Sequence, residues 1–215
     1  MRARRATTAE DREARRRSLV DAAEELLEHW SIEDVSMNRV ADRAGVAKGT
    51  VYLYFATREE LLIAVWEREH ASWLEAVSEI VRRSDGTVSD RHLVDAVVET
   101  ALARPRLCRF HGIVDTVLAA NLTLAAAREF SKRRMDRAAA TAALLDRRGE
   151  NLSAPRALRW LLSLDAIMAG LLPLAAPSPA VARALEDPGL RSLRFDVEVE
   201  LRLIAAATLA GRRKA

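Results

Sequence analysis

The residues best suited to chemistry lie close together, in the run Lys48-Gly49-Thr50-Val51-Tyr52-Leu53-Tyr54-Phe55. Lys48 supplies a positive charge, Gly49 permits close approach of another backbone, and Thr50 pairs a short hydroxyl with a methyl group. Tyr52 and Tyr54 carry phenols that donate to phosphate oxygens or lie along a sugar. Arg58 follows at the start of the next helix, where its charge and the unpaired backbone N–H groups together favour phosphate. This is the chemistry of hydrogen bonding and ion pairing to a nucleic acid.

Side chains of this kind need a scaffold that holds them outward. Just upstream, Ser36 caps a short helix expected over 37–44, with Val40, Ala41 and Ala44 facing inward, and Gly45 ends it. A third short helix is expected over 48–55. Ala41, Ala44, Val46 and Val51 are small enough for the two to pack closely around the Gly turn, which is a helix-turn-helix arrangement. A first helix is expected over 13–29, because Leu19, Ala22, Ala23, Leu26, Leu27 and Trp30 recur at i, i+3, i+4, i+7, i+8 and i+11. A fourth helix starts at Arg58, where Thr57 and Glu60 have capping-box spacing.

Beyond it, helices are expected over 90–103, 105–120, 123–148, 154–175, 180–185 and 192–212. Proline stands in the first turn at Pro105 and Pro155. Pro188-Gly189 reads as a stop. No segment alternates convincingly as a strand. Half of the 215 residues are hydrophobic, while Gly (8) and Pro (6) are scarce, so a large helical core is expected. Net charge is only +3, yet seven Arg stand against three acids in residues 1–17, leaving a basic arm of +4.

The ordered series Leu19-Val20-Asp21-Ala22-Ala23, Val40-Ala41-Asp42-Arg43-Ala44-Gly45-Val46, Lys48 to Phe55 and Arg58-Glu59-Glu60-Leu61-Leu62 resembles the TetR family of transcriptional regulators. The resemblance covers residues 15–62. It implies an all-α fold: an N-terminal three-helix helix-turn-helix DNA-binding domain plus a larger C-terminal helical ligand-binding and dimerisation domain. The expected boundaries are a disordered basic arm over 1–12, the DNA-binding domain over 13–58 and the regulatory domain over 59–215. Carried over position by position, the resemblance implies that Ser36 and Asn38 touch phosphate. It places Lys48, Gly49 and Thr50 in the major groove, with Thr50 and Leu53 nearest the base edges. Tyr52 and Tyr54 anchor backbone, and Arg58 stands where the family usually has Lys. Leu53 cannot read a base by hydrogen bonding; it contacts a thymine methyl or simply packs. The chain departs from the family at Ser31, where a Gly usually follows the first helix.

A single such unit reads few bases, so a homodimer on a palindromic double-stranded operator is expected. The resemblance implies a four-helix contact made by the last two long helices. Leu158, Leu161, Leu162, Ile167 and Leu171 on one, and Val197, Leu201, Ile204, Ala205 and Leu209 on the other, supply apolar stripes. TetR-like C-terminal domains usually enclose a ligand, and residues available to line a pocket are Trp66, His70, Trp73, Phe110, His111, Asp115, Asn121, Trp160, Asp165 and Met168. An Asp inside an apolar helix must be paired, and either a ligand or an Arg of the protein serves. A largely apolar small-molecule effector is expected, with the operator released when it binds. The alternative is a DNA-binding regulator of the same fold without such a ligand, controlled by a protein partner or acting architecturally.

The remaining features bound the function classes. No phosphate-cradling Gly loop, paired-His metal motif or nucleophile elbow occurs, so neither enzyme activity nor a metal or other cofactor is expected. The lone Cys108 and the charged N-terminus suggest a reducing cytoplasm without a signal peptide. The apolar stretch 161–177 is interrupted by Asp165 and Pro173, which favours a buried helix over a membrane span.

Overall fold

A computed structural model describes residues 8–150, 152–175 and 177–213. Backbone contacts divide it into two compact units, Met1–Val65 and Trp66–Ala215. The division falls inside a helix and not at the expected position after residue 58.

The first unit is built from α1 (Ala9–Leu26), α2 (Met37–Arg43), α3 (Lys48–Tyr52) and the first turns of α4 (Arg58–Arg83). Helix α1 starts four residues before its expected position because Thr8 and Asp11 form a reciprocal capping box that satisfies two otherwise unpaired N–H groups. Residues 8–12 are therefore the cap and first turn of α1, whereas residues 1–7 of the expected arm lie outside the described residues. The helix also ends early, at Leu26. Trp30 thus leaves the buried face expected for it and lies exposed under the Arg39 guanidinium, 3.8 Å from the ring centroid. Leu19, Val20, Ala22, Ala23 and Leu27 meet Val40, Ala41, Val51 and Phe55 in the core.

The second unit holds the rest of α4, then α5 (Asp90–Leu102), α6 (Pro105–Ile113), α7 (Leu124–Arg148), α8 (Ala154–Leu171), α9 (Pro179–Ala184) and α10 (Val197–Arg213). Helix α8 packs against α6, α7 and α10, and α10 packs against α5. Residues 105–120, expected as one helix, instead run through α6 into a wider π-helical turn, Val114–Leu118, and a 3-10 turn, Ala119–Asn121. Pro188-Gly189, read as a stop, opens a 3-10 stretch, Pro188–Leu193, and α10 starts at Val197, five residues after its expected start at 192. Among the described residues the only extended pairing is one isolated bridge between Val88 and Gly149. The segment Ala154–Ala175 is long and apolar enough to cross a membrane by composition alone, but its Trp160, Leu161, Leu164, Asp165 and Met168 are buried within the unit.

Candidate nucleic-acid interface and buried polar cluster

Helix α2 is capped by Ser36, whose Oγ accepts from the Arg39 N–H at 3.4 Å. The chain then turns through Gly45 at φ +65°, a conformation that costs an L-residue about 1–2 kcal/mol. Val46 N–H donates to Ala41 O at 3.0 Å and closes the turn. This delivers α3 with Val51 and Phe55 in the core and Lys48, Gly49, Tyr52 and Leu53 on the outside. Leu53 is 72% exposed, so packing does not explain its apolar side chain. A Cβ at Gly49 would meet nothing within 4 Å, so the fold itself does not require glycine there. Lys48 Nζ stands 6.0 Å from the Tyr52 ring. Asn38 is exposed beside them, while Thr50 and Tyr54 are half-buried.

Arg58 has a different task from the expected phosphate contact. Its Nε donates to Val35 O at 2.6 Å, and its Nη2 donates to Ile32 O. The half-buried guanidinium thereby ties loop 31–35 to the start of α4, in the region where the sequence departs at Ser31 from the pattern it resembles. Thr57 caps α4 as expected, its Oγ1 accepting from Glu60 N–H at 3.1 Å, while the Glu60 carboxylate accepts from Ala56 N–H at 2.8 Å, one residue before the position a capping box would use.

In the second unit, α4, α6 and α8 bring five of the expected ligand residues into one buried cluster: Trp66, His70, Trp73, His111 and Asp165, while Phe110 is buried on α6. His70 stacks on Trp66 with centroids 4.6 Å apart, and Trp73 meets the His70 ring edge-on at 5.4 Å. Trp66 Nε1 donates to His111 Nδ1 at 3.4 Å, and Trp73 Nε1 donates to Val97 O at 3.2 Å. Asp165 Oδ1 lies 3.1 Å from His70 Nε2 and 3.6 Å from His111 Nε2, while Arg134 Nε donates to Oδ2 at 3.1 Å. Burial alone would push the Asp165 carboxyl up. The hydrogen-bonded His70 ring, with His111 beside it, outweighs burial and holds the group far below the ordinary carboxylate range. Burial opposes charge on Arg134 as well, but Asp165 and Asp115 hold its pKa above the usual guanidinium value.

Several expected ligand residues serve the fold instead. Asp115 is exposed and receives both oxygens' hydrogen bonds from Arg134 Nη1, at 2.9 and 3.0 Å. The wide turn after α6 places it on the surface. Asn121 is exposed and donates to Val117 O in its own turn. Trp160 donates to Ala205 O on α10 at 3.1 Å, away from the histidines, and Met168 is buried on α8. Two clefts open in this unit, and neither is lined by any of these residues. Sequence reasoning missed the partners that α7 supplies, Arg133, Arg134 and Arg137, of which Arg133 and Arg137 both bind the buried Glu67. Their signal was a basic run facing helices that carry buried acids. Among the described residues no group of three His, Cys, Asp or Glu side chains is placed to hold a metal ion.

Residues 67–215 match the family model described as the tetracyclin repressor-like C-terminal domain, and residues 19–65 match that of the bacterial regulatory proteins of the tetR family. The chain belongs to the TetR family. TetR-family proteins are DNA-binding transcriptional regulators, and the helix-turn-helix of this member lies in the matched N-terminal region. It is 31% identical over 64 residues to the fatty acid metabolism regulator protein of Bacillus subtilis, covering 30% of this chain and 33% of that one. It is 39% identical over 61 residues to the transcriptional repressor KstR of Mycobacterium tuberculosis, covering 28% of each. The chain spans roughly a quarter to a half of the length of the curated relatives it matches. Among solved structures, the TetR family repressor AlkX of a Dietzia strain shares its fold, with TM-score 0.60 and 16% identity over 93% of this chain and 96% of that one. A Rhodococcus transcriptional regulator gives TM-score 0.57 and 24% identity over 91% and 96% of the two chains.

Proposed function

We propose that this TetR-family member is a homodimeric cytoplasmic repressor that reads a palindromic operator and leaves it when a small molecule binds the C-terminal unit. The observation that carries the reading is the outer face of α3. Lys48, Gly49, Tyr52 and Leu53 are exposed there without any role in the core. In a major groove, Lys48 neutralises phosphate, Gly49 lets the backbone approach, and Thr50 and Leu53 meet base edges, Leu53 through a thymine methyl. Tyr52 and Tyr54 anchor the sugar-phosphate chain, with Ser36 and Asn38 at the start of α2.

Two half-sites require two copies. Of the apolar stripe first expected at the dimer contact, Val197, Leu201, Ala205 and Leu209 are buried inside their own chain and Ile204 is half-buried. The opposite face of α10 is what stays open: Val199, Leu203, Ala206 and Ala210 are exposed, as are Ala166 and Gly170 on α8. Leu203 is 61% exposed, and a second copy covers this surface best, since a contiguous apolar face on two helices matches itself across a twofold axis.

Release follows from differential affinity for two dimer states that differ in the spacing of their recognition helices, and a ligand indifferent to the two shifts nothing. Helix α4 belongs to both units, so it is the element through which the effector acts. A second reading, regulation by a protein partner without a small molecule, is favoured by the tight packing of the Trp66–His70–Asp165 cluster. Purified full-length protein tests both. It should select specific double-stranded fragments from the source genome at low ionic strength. A compound that raises its Tm and releases the fragment supports the effector; release only by a cell protein supports the second reading. Failure to retain any duplex DNA overturns both.

A further inference from the structure

One face of α4 presents Ala71, Leu74, Glu75, Ser78 and Arg82, at i, i+3, i+4, i+7 and i+11. One face of α7 presents Arg137, Ala140, Thr141, Leu144 and Arg147, with nearly the same spacing. The helices run in the same direction, because Glu67 pairs with Arg133 and Arg137, Ser78 faces Thr141, and Arg148 donates to Arg82 O. Small side chains oppose one another midway, and between them opens a cleft of about 320 Å³. That volume lies at the lower end of small-molecule sites. It is a different face of α4 from the one that carries Trp66, His70 and Trp73.

The lining has an unbalanced chemistry. Three arginines stand against one carboxylate, Glu75, which Arg82 already holds at 2.9 Å. Arg147 has no partner among the described residues. Arg137 spends Nη2 on Glu67, yet its Nη1 is buried with no hydrogen-bond acceptor, an arrangement expensive for a charged donor. Ser78 and Thr141, both nearly fully buried, offer hydroxyls that meet only each other, at a long 3.5 Å. Leu74 and Leu144 supply apolar wall.

We infer that the α4–α7 cleft is a binding site for a small amphipathic anion: its charged oxygens take the spare Arg137 N–H and the Ser78 and Thr141 hydroxyls, and its short apolar chain lies against Leu74 and Leu144. Arg82 is matched by Glu75 and Glu79, so it is Arg147 that adds positive potential favouring the anion over a cation. The inference concerns binding alone and stands apart from the operator reading.

Titration calorimetry of the full chain without DNA tests it, using octanoate, octyl phosphate, octanol and octylammonium as probes. Octanoate or octyl phosphate should bind one per chain, and the alcohol and the ammonium at least tenfold more weakly. R137Q should raise the anion Kd about ten- to hundredfold, the loss of one charge-assisted hydrogen bond. T141V should raise it about three- to tenfold for a neutral donor. A140L should block the cleft, and R137Q and T141V decide the matter if A140L does not fold. Absence of anion binding, equal binding of octylammonium, or anion binding untouched by R137Q and T141V in folded protein overturns the inference.

Discussion

Asp165→Asn is the perturbation that tests the reasoning about the C-terminal unit most directly. The wild-type carboxylate is buried, receives Arg134 at 3.1 Å and faces both imidazoles. An amide of the same size keeps one acceptor but turns N–H groups toward donors, leaving Arg134 without a buried counter-ion. Breaking such a pair costs about 3–5 kcal/mol. Arg134 keeps two hydrogen bonds to Asp115, so the lower end, about 3 kcal/mol, is expected. For a unit of this size that is a fall in Tm of about 6–12 °C. Trp66, Trp73 and Trp160 are all buried in this unit, so intrinsic fluorescence reports its unfolding. The folded-state pKa of Asp165 is depressed, so its contribution is fully present above the unfolded carboxyl pKa of about 4 and is lost as pH falls below it. The gap between wild type and variant should therefore hold steady from neutral pH to about 5 and narrow in more acid solution. A loss under about 1 kcal/mol, or two stability curves that stay parallel below pH 4, would refute an ionic tie at this position.

Other outcomes follow from the same geometry. Arg58→Ala removes hydrogen bonds to Val35 O and Ile32 O and should destabilise the first unit by about 2 kcal/mol, read by hydrogen exchange in α1 and α2; weaker DNA binding with unchanged protection would restore Arg58 to phosphate contact. Leu203→Glu should convert the proposed dimer to monomer in light scattering with little change in far-UV CD, and an unaltered dimer would move the interface off α10. Lys48→Ala should lower the slope of log affinity against log salt by about one unit for every duplex, whereas Thr50→Ala should change preference among operator variants; the reverse pattern would show that the two residues are misassigned.

The reading unit was legible because its determinants are local. The cap at Ser36, the left-handed turn at Gly45 and the apolar positions Val40, Ala41 and Val51 each act within a few residues, so order and spacing alone specify the helix-turn-helix. The ends of α1 were less legible. Thr8 and Asp11 form a capping box, but their place within a basic arm hid it. Periodicity likewise carried Trp30 onto a helix that stops before it.

In the second unit the sequence showed that Trp66, His70, Trp73 and His111 share inward faces and that Asp165 would need a partner, since spacing and the cost of burying charge are properties of single helices. It could not say which partner. Arg134 is 31 residues away and His70 is 95, and only packing of α4, α6, α7 and α8 makes them neighbours. The same limit reversed the α10 stripes. Both faces of that helix are apolar, and the choice between core and surface depends on where α5 and α8 lie. It also left the α4–α7 cleft out of sight, because a space between two helices belongs to neither sequence: it exists where small residues from distant segments come face to face.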